Sequence, residues 1–176
     1  MPAIHICSLK MVGTLAAQIK PSHVLSLLGD ANLFPQTPAG IAAINHLKLN
    51  VADISAQQDG MITPGADHIE ELIAFGRRWA KENAGTRPLL VHCFAGISRS
   101  TASALTIACA LRPKTLEQTF ADALRDSSAS AQPNSLMIEH ADDLLARNGR
   151  LIEAVNGMGL ADFSKAGTPF VLRLDV

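Results

Sequence analysis

A cysteine, a glycine and an arginine lie close together in the segment from His92 to Ser100, which reads His-Cys-Phe-Ala-Gly-Ile-Ser-Arg-Ser. Five residues, Gly96 among them, separate Cys93 from Arg99. An apolar run precedes the segment and an alanine-rich run follows it, which predicts a strand, a tight loop and a helix. A helix N-terminus leaves backbone N–H groups unpaired and carries partial positive charge, so the loop before it can surround a tetrahedral anion. The segment therefore predicts a phosphate-binding loop.

Cys93 and Arg99 are the residues of this loop that could react with a bound phosphate and hold it. A cysteine at the base of an anion-binding loop is expected to be ionised at neutral pH, which would make Cys93 a nucleophile aimed at phosphorus. Arg99 carries a planar, permanently charged fork that can hold two phosphoryl oxygens at once, which a lysine cannot match. Gly96 supplies the bend, because glycine tolerates backbone angles that side chains forbid.

The other residues of the segment are expected to assist these two. Ser100 is placed where its hydroxyl could hydrogen-bond the cysteine sulfur, which would help the thiolate to form and later to leave. His92 is predicted to orient its neighbours rather than to act as a base, because an ionised thiolate needs no proton acceptor. Ser98 would brace the loop. The predicted phosphate-binding residues are Phe94, Ala95, Gly96, Ile97, Ser98 and Arg99.

Short apolar runs and helical periodicities predict the elements that must position this loop. Strands are predicted at residues 3–9, 23–28, 46–51 and 88–92, with a short late strand at the sheet edge in the alternating residues 170–176. A first helix is predicted over 65–82 and ends at Asn83-Ala84-Gly85, and a second is predicted over 98–111. A third is expected after a capping box of Thr115 with Gln118, and a fourth is expected to end at Asn148-Gly149. The pattern predicts an α/β fold whose central, mostly parallel sheet of four to five strands is flanked by helices, with the Cys-x5-Arg loop between a strand and a helix.

Asp53 is the predicted general acid. Leu47, Leu49 and Val51 alternate with polar residues, so their strand should end near Val51 and release Asp53 just beyond it. We expect the Cys93 strand to be the parallel neighbour of this strand, so that both residues leave the sheet at the same edge, where ligands gather. Asp59 is the rival, but it precedes Gly60, and Asp-Gly is a common turn pair.

Composition limits the other possibilities. With 176 residues and 48% hydrophobic content, the chain is expected to form one domain over residues 1–176. A net charge of -1 argues against a nucleic-acid partner. No long apolar run or signal peptide is apparent, so we predict no membrane partner and a cytoplasmic location. Three cysteines at unrelated spacings fit neither disulfides nor zinc, and Cys7 and Cys109 are expected to be buried, inert thiols.

The loop and its surroundings resemble the cysteine-based protein tyrosine phosphatases, and among them the small dual-specificity type. The matching residues are Val91-His92-Cys93, Gly96 and Ser98-Arg99-Ser100, with a Pro133-Asn134 turn downstream. The resemblance covers roughly residues 20–148, although the stretch before Pro133 lacks an Arg-Pro that is common in the family. It implies a cysteinyl-phosphate intermediate, an aspartic acid that protonates the leaving group, a loop that holds phosphate or sulfate, and no metal or cofactor.

Rival functions remain open from the sequence. A silent module could capture a phosphorylated partner without hydrolysis, although Cys93, Arg99 and Ser100 together argue for catalysis. Sulfurtransferases and arsenate reductases also use cysteine in anion-binding loops, but His92 and the upstream aspartate fit phosphatases better. The loop has no lysine for a polyanionic lipid headgroup. A phosphorylated protein or peptide is therefore the expected substrate, with a small-molecule or lipid phosphate as the alternative. The sequence does not choose between phosphotyrosine and phosphoserine or phosphothreonine.

Overall fold

A five-stranded sheet lies at the centre of the computed structural model, which describes residues 3–83 and 86–175. The strands are β1 (Ala3–Ser8), β2 (His23–Leu28), β3 (His46–Asn50), β4 (Leu89–Cys93) and β5 (Phe170–Arg173). Their order across the sheet is β3-β2-β4-β1-β5, and β5 pairs antiparallel with β1 while the other pairs are parallel. The predicted mostly parallel α/β sheet is confirmed, with the late strand at its edge.

Helices cover both faces of this sheet. They are α1 (Val12–Ile19), α2 (Ala66–Asn83), α3 (Arg99–Leu111), α4 (Glu117–Ser127), α5 (Ser135–Leu144) and α6 (Arg150–Gly157). On one face α1 packs against Val24 and Leu90. On the other face, residues of α2 to α6 form the larger core with Leu89 and Val91. Successive side chains of β4 thus point to opposite faces, as a strand requires.

The central strands β2 and β4 are buried along their whole length. Continuous apolar runs such as Val24-Leu25 and Leu89-Leu90-Val91 suit parallel strands that helices cover on both sides. The expectation that β3 and β4 are direct neighbours was wrong, because β2 lies between them. The more buried β2 takes the inner position and leaves β3, with its exposed Lys48, at the edge. The crossover through α2 therefore passes over one strand.

Local helix signals located some helices and missed others. The capping box was wrong, because α4 begins after Leu116, with no side-chain cap at that residue. The buried carboxylate of Glu117 in its first turn pairs instead with Arg147 and Arg150, at 3.0 and 3.3 Å. The helix expected to run to Asn148-Gly149 ends at Leu144, and α6 follows it. Neither α1 nor α6 was predicted.

Two predicted element ends fall on residues that the structure does not describe. The predicted helix end at Ala84 and Gly85, and the last residue of the late strand, Val176, fall outside the described part of the chain. Within residues 3–83 and 86–175, none of the helices combines the length and apolar character needed to cross a bilayer.

Two of the buried histidines have strongly lowered pKa values. His46 on β3 and His92 on β4 are buried, and burial lowers the pKa of each from 6.5 to about 4. The neighbouring Lys48 and His92 lower the pKa of His46 further, whereas the Cys93 backbone opposes part of the shift at His92. Both rings are therefore neutral in the folded protein at neutral pH.

This burial predicts a loss of stability in mild acid. Between pH 6.5 and about 4 the unfolded chain binds protons that the buried rings refuse, so the free energy of unfolding falls as the pH falls through this range. His46→Gln removes one such ring. From pH 6.5 to 4.5 we expect the wild type to lose about 2 kcal/mol more than this variant in urea denaturation. Equal losses in both proteins would contradict a neutral, buried His46.

Candidate active site

The loop of residues 94–98 connects the end of β4 to the start of α3, with Cys93 as the last strand residue and Arg99 as the first helical one. Gly96 has a φ of +78°, and a Cβ on it would lie 2.7 Å from the carbonyl carbon of Cys7 and 2.8 Å from the nitrogen of Ser8. Both are backbone atoms of β1 that cannot move aside. Glycine is therefore required here for its backbone angle and for close approach.

The sulfur of Cys93 lies at the base of this loop, and the residue is 1% exposed. The Gly96 N–H points at Sγ from 3.3 Å, and the hydroxyl of Ser100 lies 3.2 Å from it. The loop thus brings Cys93, Gly96 and Ser100 together in the arrangement expected from the sequence.

The guanidinium of Arg99 contacts the segment that follows β3. Its Nη1 donates to the carbonyl oxygen of Val51, just beyond β3, at 2.8 Å, and its Nε lies 3.7 Å from Oδ2 of Asp53. The Nε is buried and has no hydrogen-bond partner among the described residues. The guanidinium is thus oriented by protein contacts and keeps a donor that an anion could use.

Asp53 is fixed beside the loop by two donors. Its Oδ1 accepts from Ser98 Oγ at 2.6 Å and from Asn134 Nδ2 at 3.0 Å. The same Asn134 amide donates to the Ile54 carbonyl at 3.1 Å. Ser98 therefore joins the loop to the predicted acid as well as bracing it. Asp53 and Cys93 leave the same sheet edge although their strands are not neighbours.

Asn134 is a site residue that was not singled out as functional from the sequence. Its Oδ1 accepts from the Met137 N–H at 3.1 Å and so caps α5. The backbone N–H of Asn134 donates to the Ser98 carbonyl at 3.4 Å. The Pro-Asn-Ser pattern signals this cap, but the second contact, to Asp53, depends on the tertiary fold.

Asp59 lies away from these contacts in an exposed turn. The Met61 N–H donates to the Gln58 carbonyl at 3.2 Å, and Gly60 has a φ of +76°. The turn reading of Asp59-Gly60 matches this geometry.

The ring of His92 contacts β2 and the backbone of Cys93. Its Nε2 lies 2.6 Å from Ser26 Oγ, and its Nδ1 lies 3.4 Å from the Cys93 carbonyl oxygen. This placement suits a residue that orients the backbone at the loop base.

The other two cysteines are buried, and burial raises the pKa of both Cys7 and Cys109 to about 12. Their thiols are therefore unreactive at neutral pH.

Two hollows open beside the loop, and Asp53 lines both of them. The first, here called the Phe94 cleft, has a volume of about 340 Å³ and includes Arg99 and Asp53. Its apolar walls are Leu33, Met61 and Phe94, which are 46%, 49% and 62% exposed. The second has a volume of about 420 Å³ and includes Ile97, Ser98 and Phe163. Substrate groups attached to a loop-bound phosphate could occupy either hollow.

No metal site forms among the described residues, because no three His, Cys, Asp or Glu side chains converge there.

Comparison with known proteins gives structural neighbours and no sequence relatives. No protein-family model and no curated protein matches the sequence. Among solved structures, DUSP15 aligns over 90% of this chain and 91% of its own, with a TM-score of 0.64 and 20% identity. Human DUSP28 aligns over 82% and 89%, with a TM-score of 0.59 and 14% identity. PTPMT1 aligns over 83% and 94%, with a TM-score of 0.58 and 16% identity.

These neighbours agree with the resemblance that the sequence suggested, and they extend it from the loop to the arrangement of the sheet and helices. At this level of identity the likeness concerns the fold. The chain therefore has the fold of the small dual-specificity, cysteine-based phosphatases.

Proposed function

We propose that this protein is a cysteine-dependent phosphatase that hydrolyses phosphomonoesters through a cysteinyl-phosphate intermediate on Cys93. The observation that carries the proposal is the position of the buried sulfur, which accepts from the Gly96 N–H and lies 3.2 Å from the Ser100 hydroxyl, at the base of a loop that leads into α3. Arg99 and Asp53 lie against the same loop. A nucleophile, an anion clamp and a proton donor are thus combined in one site.

In the first step the phosphate occupies the loop, with its oxygens on backbone N–H groups and on Arg99. The Cys93 thiolate forms the S–P bond as the P–O bond to the leaving group breaks. Asp53, in its protonated form, gives its proton to the departing oxygen. In the second step water attacks phosphorus, its proton passes to Asp53, and the S–P bond breaks. The hydroxyl of Ser100, 3.2 Å from Sγ, stabilises the thiolate that departs.

The contacts around Asp53 support its assignment as the acid. Ser98 and Asn134 hold one carboxylate oxygen, and the other lies nearer to Arg99. The carboxylate is thereby positioned at the rim of the loop, where a leaving oxygen would emerge. An acid held in advance loses little orientational freedom in the transition state.

The Phe94 cleft favours an aromatic leaving group. Leu33, Met61 and Phe94 present exposed apolar surface beside Arg99, and a phenyl ring attached to the phosphate could bury itself against them. A serine or threonine side chain is shorter and would gain less from these walls. We therefore propose phosphotyrosine in proteins or peptides as the preferred substrate, with phosphoserine and phosphothreonine as poorer ones.

The silent phosphate-binding module is the alternative. One structural neighbour is described as a human tyrosine phosphatase-like serine/threonine/tyrosine-interacting protein, so the fold occurs under names other than phosphatase. In this chain the Cys93 sulfur contacts the Gly96 N–H and the Ser100 hydroxyl, and Arg99 lies beside Asp53, which supports hydrolysis.

Replacing the nucleophile tests the proposal. Cys93→Ser should lower the hydrolysis of para-nitrophenyl phosphate by a factor on the order of 10⁴ or more, because the hydroxyl is not ionised at neutral pH. Tungstate should still bind, since the loop and Arg99 remain, and calorimetry measures this. Cys109→Ala is the matched control, and its turnover should stay near wild type. Retained turnover in Cys93→Ser would exclude Cys93 as the nucleophile.

The acid is tested by comparing Asp53→Asn with Asp59→Asn on two leaving groups. Asp53→Asn should slow hydrolysis of a phosphotyrosine peptide by roughly a hundredfold to ten-thousandfold. The loss should be far smaller with para-nitrophenyl phosphate, whose oxygen leaves with little help. Asp59→Asn should be near wild type on both. The assignment is reversed if Asp59→Asn alone shows the loss that depends on the leaving group.

A further inference from the structure

A chain of hydrogen bonds crosses the sheet from β3 to β4 and ends at the base of the phosphate loop. Thr37 Oγ1 lies 3.0 Å from His46 Nδ1, and His46 Nε2 lies 2.8 Å from Ser26 Oγ. Ser26 Oγ lies 2.6 Å from His92 Nε2, and His92 Nδ1 lies 3.4 Å from the Cys93 carbonyl oxygen. Ser26 and His92 are completely buried. Since these groups are removed from water, each must satisfy its hydrogen bonds within the chain.

The direction of the chain is fixed at its Cys93 end. A carbonyl oxygen only accepts, so the Nδ1 of His92 must carry the ring proton in order to bond to it. The ring is neutral, which leaves Nε2 without a proton. Nε2 is therefore an acceptor, and Ser26 must donate to it.

The positions of the protons on Ser26 and His46 follow from that of His92. The Ser26 hydroxyl has one proton, which it donates to His92 Nε2. Its oxygen must therefore accept from His46. His46 therefore carries its proton on Nε2, and its Nδ1 accepts from the Thr37 hydroxyl. The two histidines adopt opposite tautomers, and every proton in the chain points towards Cys93.

The reversed arrangement is unfavourable. With the proton of His92 on Nε2, the Nδ1 lone pair would face the lone pairs of the Cys93 carbonyl oxygen. Ser26 would then accept from His92, and its own proton could be used only towards His46. The Cys93 carbonyl would lose the His92 donor, and a bond between two buried groups would be replaced by a repulsive contact.

The Cys93 carbonyl belongs to the peptide unit that also carries the Phe94 N–H, the first N–H of the loop. A donor on the oxygen of a peptide strengthens its N–H as a donor, because hydrogen bonds in a series polarise one another. On the next peptide, the Phe94 carbonyl accepts from the Leu9 N–H at 3.1 Å. The loop base is thus held from two sides, by His92 and by the segment after β1.

We propose that Ser26 and His46 are positioning residues, which set the tautomer of His92 so that its Nδ1–H holds and polarises the Cys93–Phe94 peptide at the base of the phosphate loop. The catalytic consequence rests on the proposed phosphatase function. The proton arrangement itself is independent of that function and can be measured without turnover.

Nitrogen-15 NMR of the wild-type protein tests the arrangement directly, because the two ring nitrogens of a neutral histidine have different shifts with and without the proton. His46→Gln identifies the His46 signals by their loss, and an amide nitrogen near the former Nε2 can still donate to Ser26. We expect His92 protonated on Nδ1, His46 protonated on Nε2, and an unchanged His92 pattern in His46→Gln. A His92 protonated on Nε2 overturns the proposal, and this measurement needs no variant of Ser26 to fold.

Ser26→Ala provides the functional arm, with Ser22→Ala as its matched control. Ser22 is another buried hydroxyl next to a histidine nitrogen, 3.1 Å from His23 Nδ1, but it lies outside the chain. Ser26→Ala should lower kcat for para-nitrophenyl phosphate about tenfold with a smaller change in KM, and should disturb the His92 nitrogen pattern. Ser22→Ala should change neither. Equal kinetic losses in both variants, or an unchanged His92 pattern in Ser26→Ala, would show that Ser26 has only a packing role. An inactive wild type with the expected tautomers would refute the phosphatase proposal and leave the proton arrangement standing.

Discussion

The hydrogen bond from Arg99 Nη1 to the Val51 carbonyl holds together two parts of the sheet edge that no strand pairing connects. Arg99 begins α3, directly after the loop that leaves β4, whereas Val51 follows β3, and β2 separates the two strands. The bonds from Ser98 and Asn134 to Asp53 span the same gap. Asp53 and Cys93 lie in one site because side chains bridge the central strand. Asn134 takes part in this bridge through its amide nitrogen, which donates to Asp53, while its amide oxygen caps α5.

The site also depends on how closely the loop can approach β1. Gly96 lies against the backbone between Cys7 and Ser8, at distances that exclude any side chain. That approach turns the Gly96 N–H onto the Cys93 sulfur. The Gly96 N–H and the Ser100 hydroxyl thus both contact the sulfur of a cysteine that is almost completely buried. The permanent charge of Arg99 lies at the end of the loop beside Asp53, so this part of the site carries positive charge in a chain with a net charge of -1.

Much of this site could be predicted from the sequence because its chemistry is contiguous. Cys93, Gly96, Arg99 and Ser100 lie within eight residues, and a strand, a loop and a helix N-terminus impose their own local geometry. Asp53 could be placed at the correct edge since alternation located the end of β3. Other features come from contacts between distant segments. The insertion of β2 between β3 and β4, the pairing of Glu117 with two arginines, and the second role of Asn134 have no local signal. The connection of Ser26 to two histidines likewise exists only once the three strands are aligned.

In the proposed mechanism, phosphorus becomes bonded to Cys93 during turnover. Rapid mixing of the protein with para-nitrophenyl phosphate, an acid quench within the first turnover and mass spectrometry of the resulting peptides would measure this directly. The mechanism predicts a phosphoryl adduct on the Cys93 sulfur that appears with the first burst of para-nitrophenol and is absent in Cys93→Ser. A phosphoryl group on another side chain, or steady turnover with no adduct at any quench time, would contradict it.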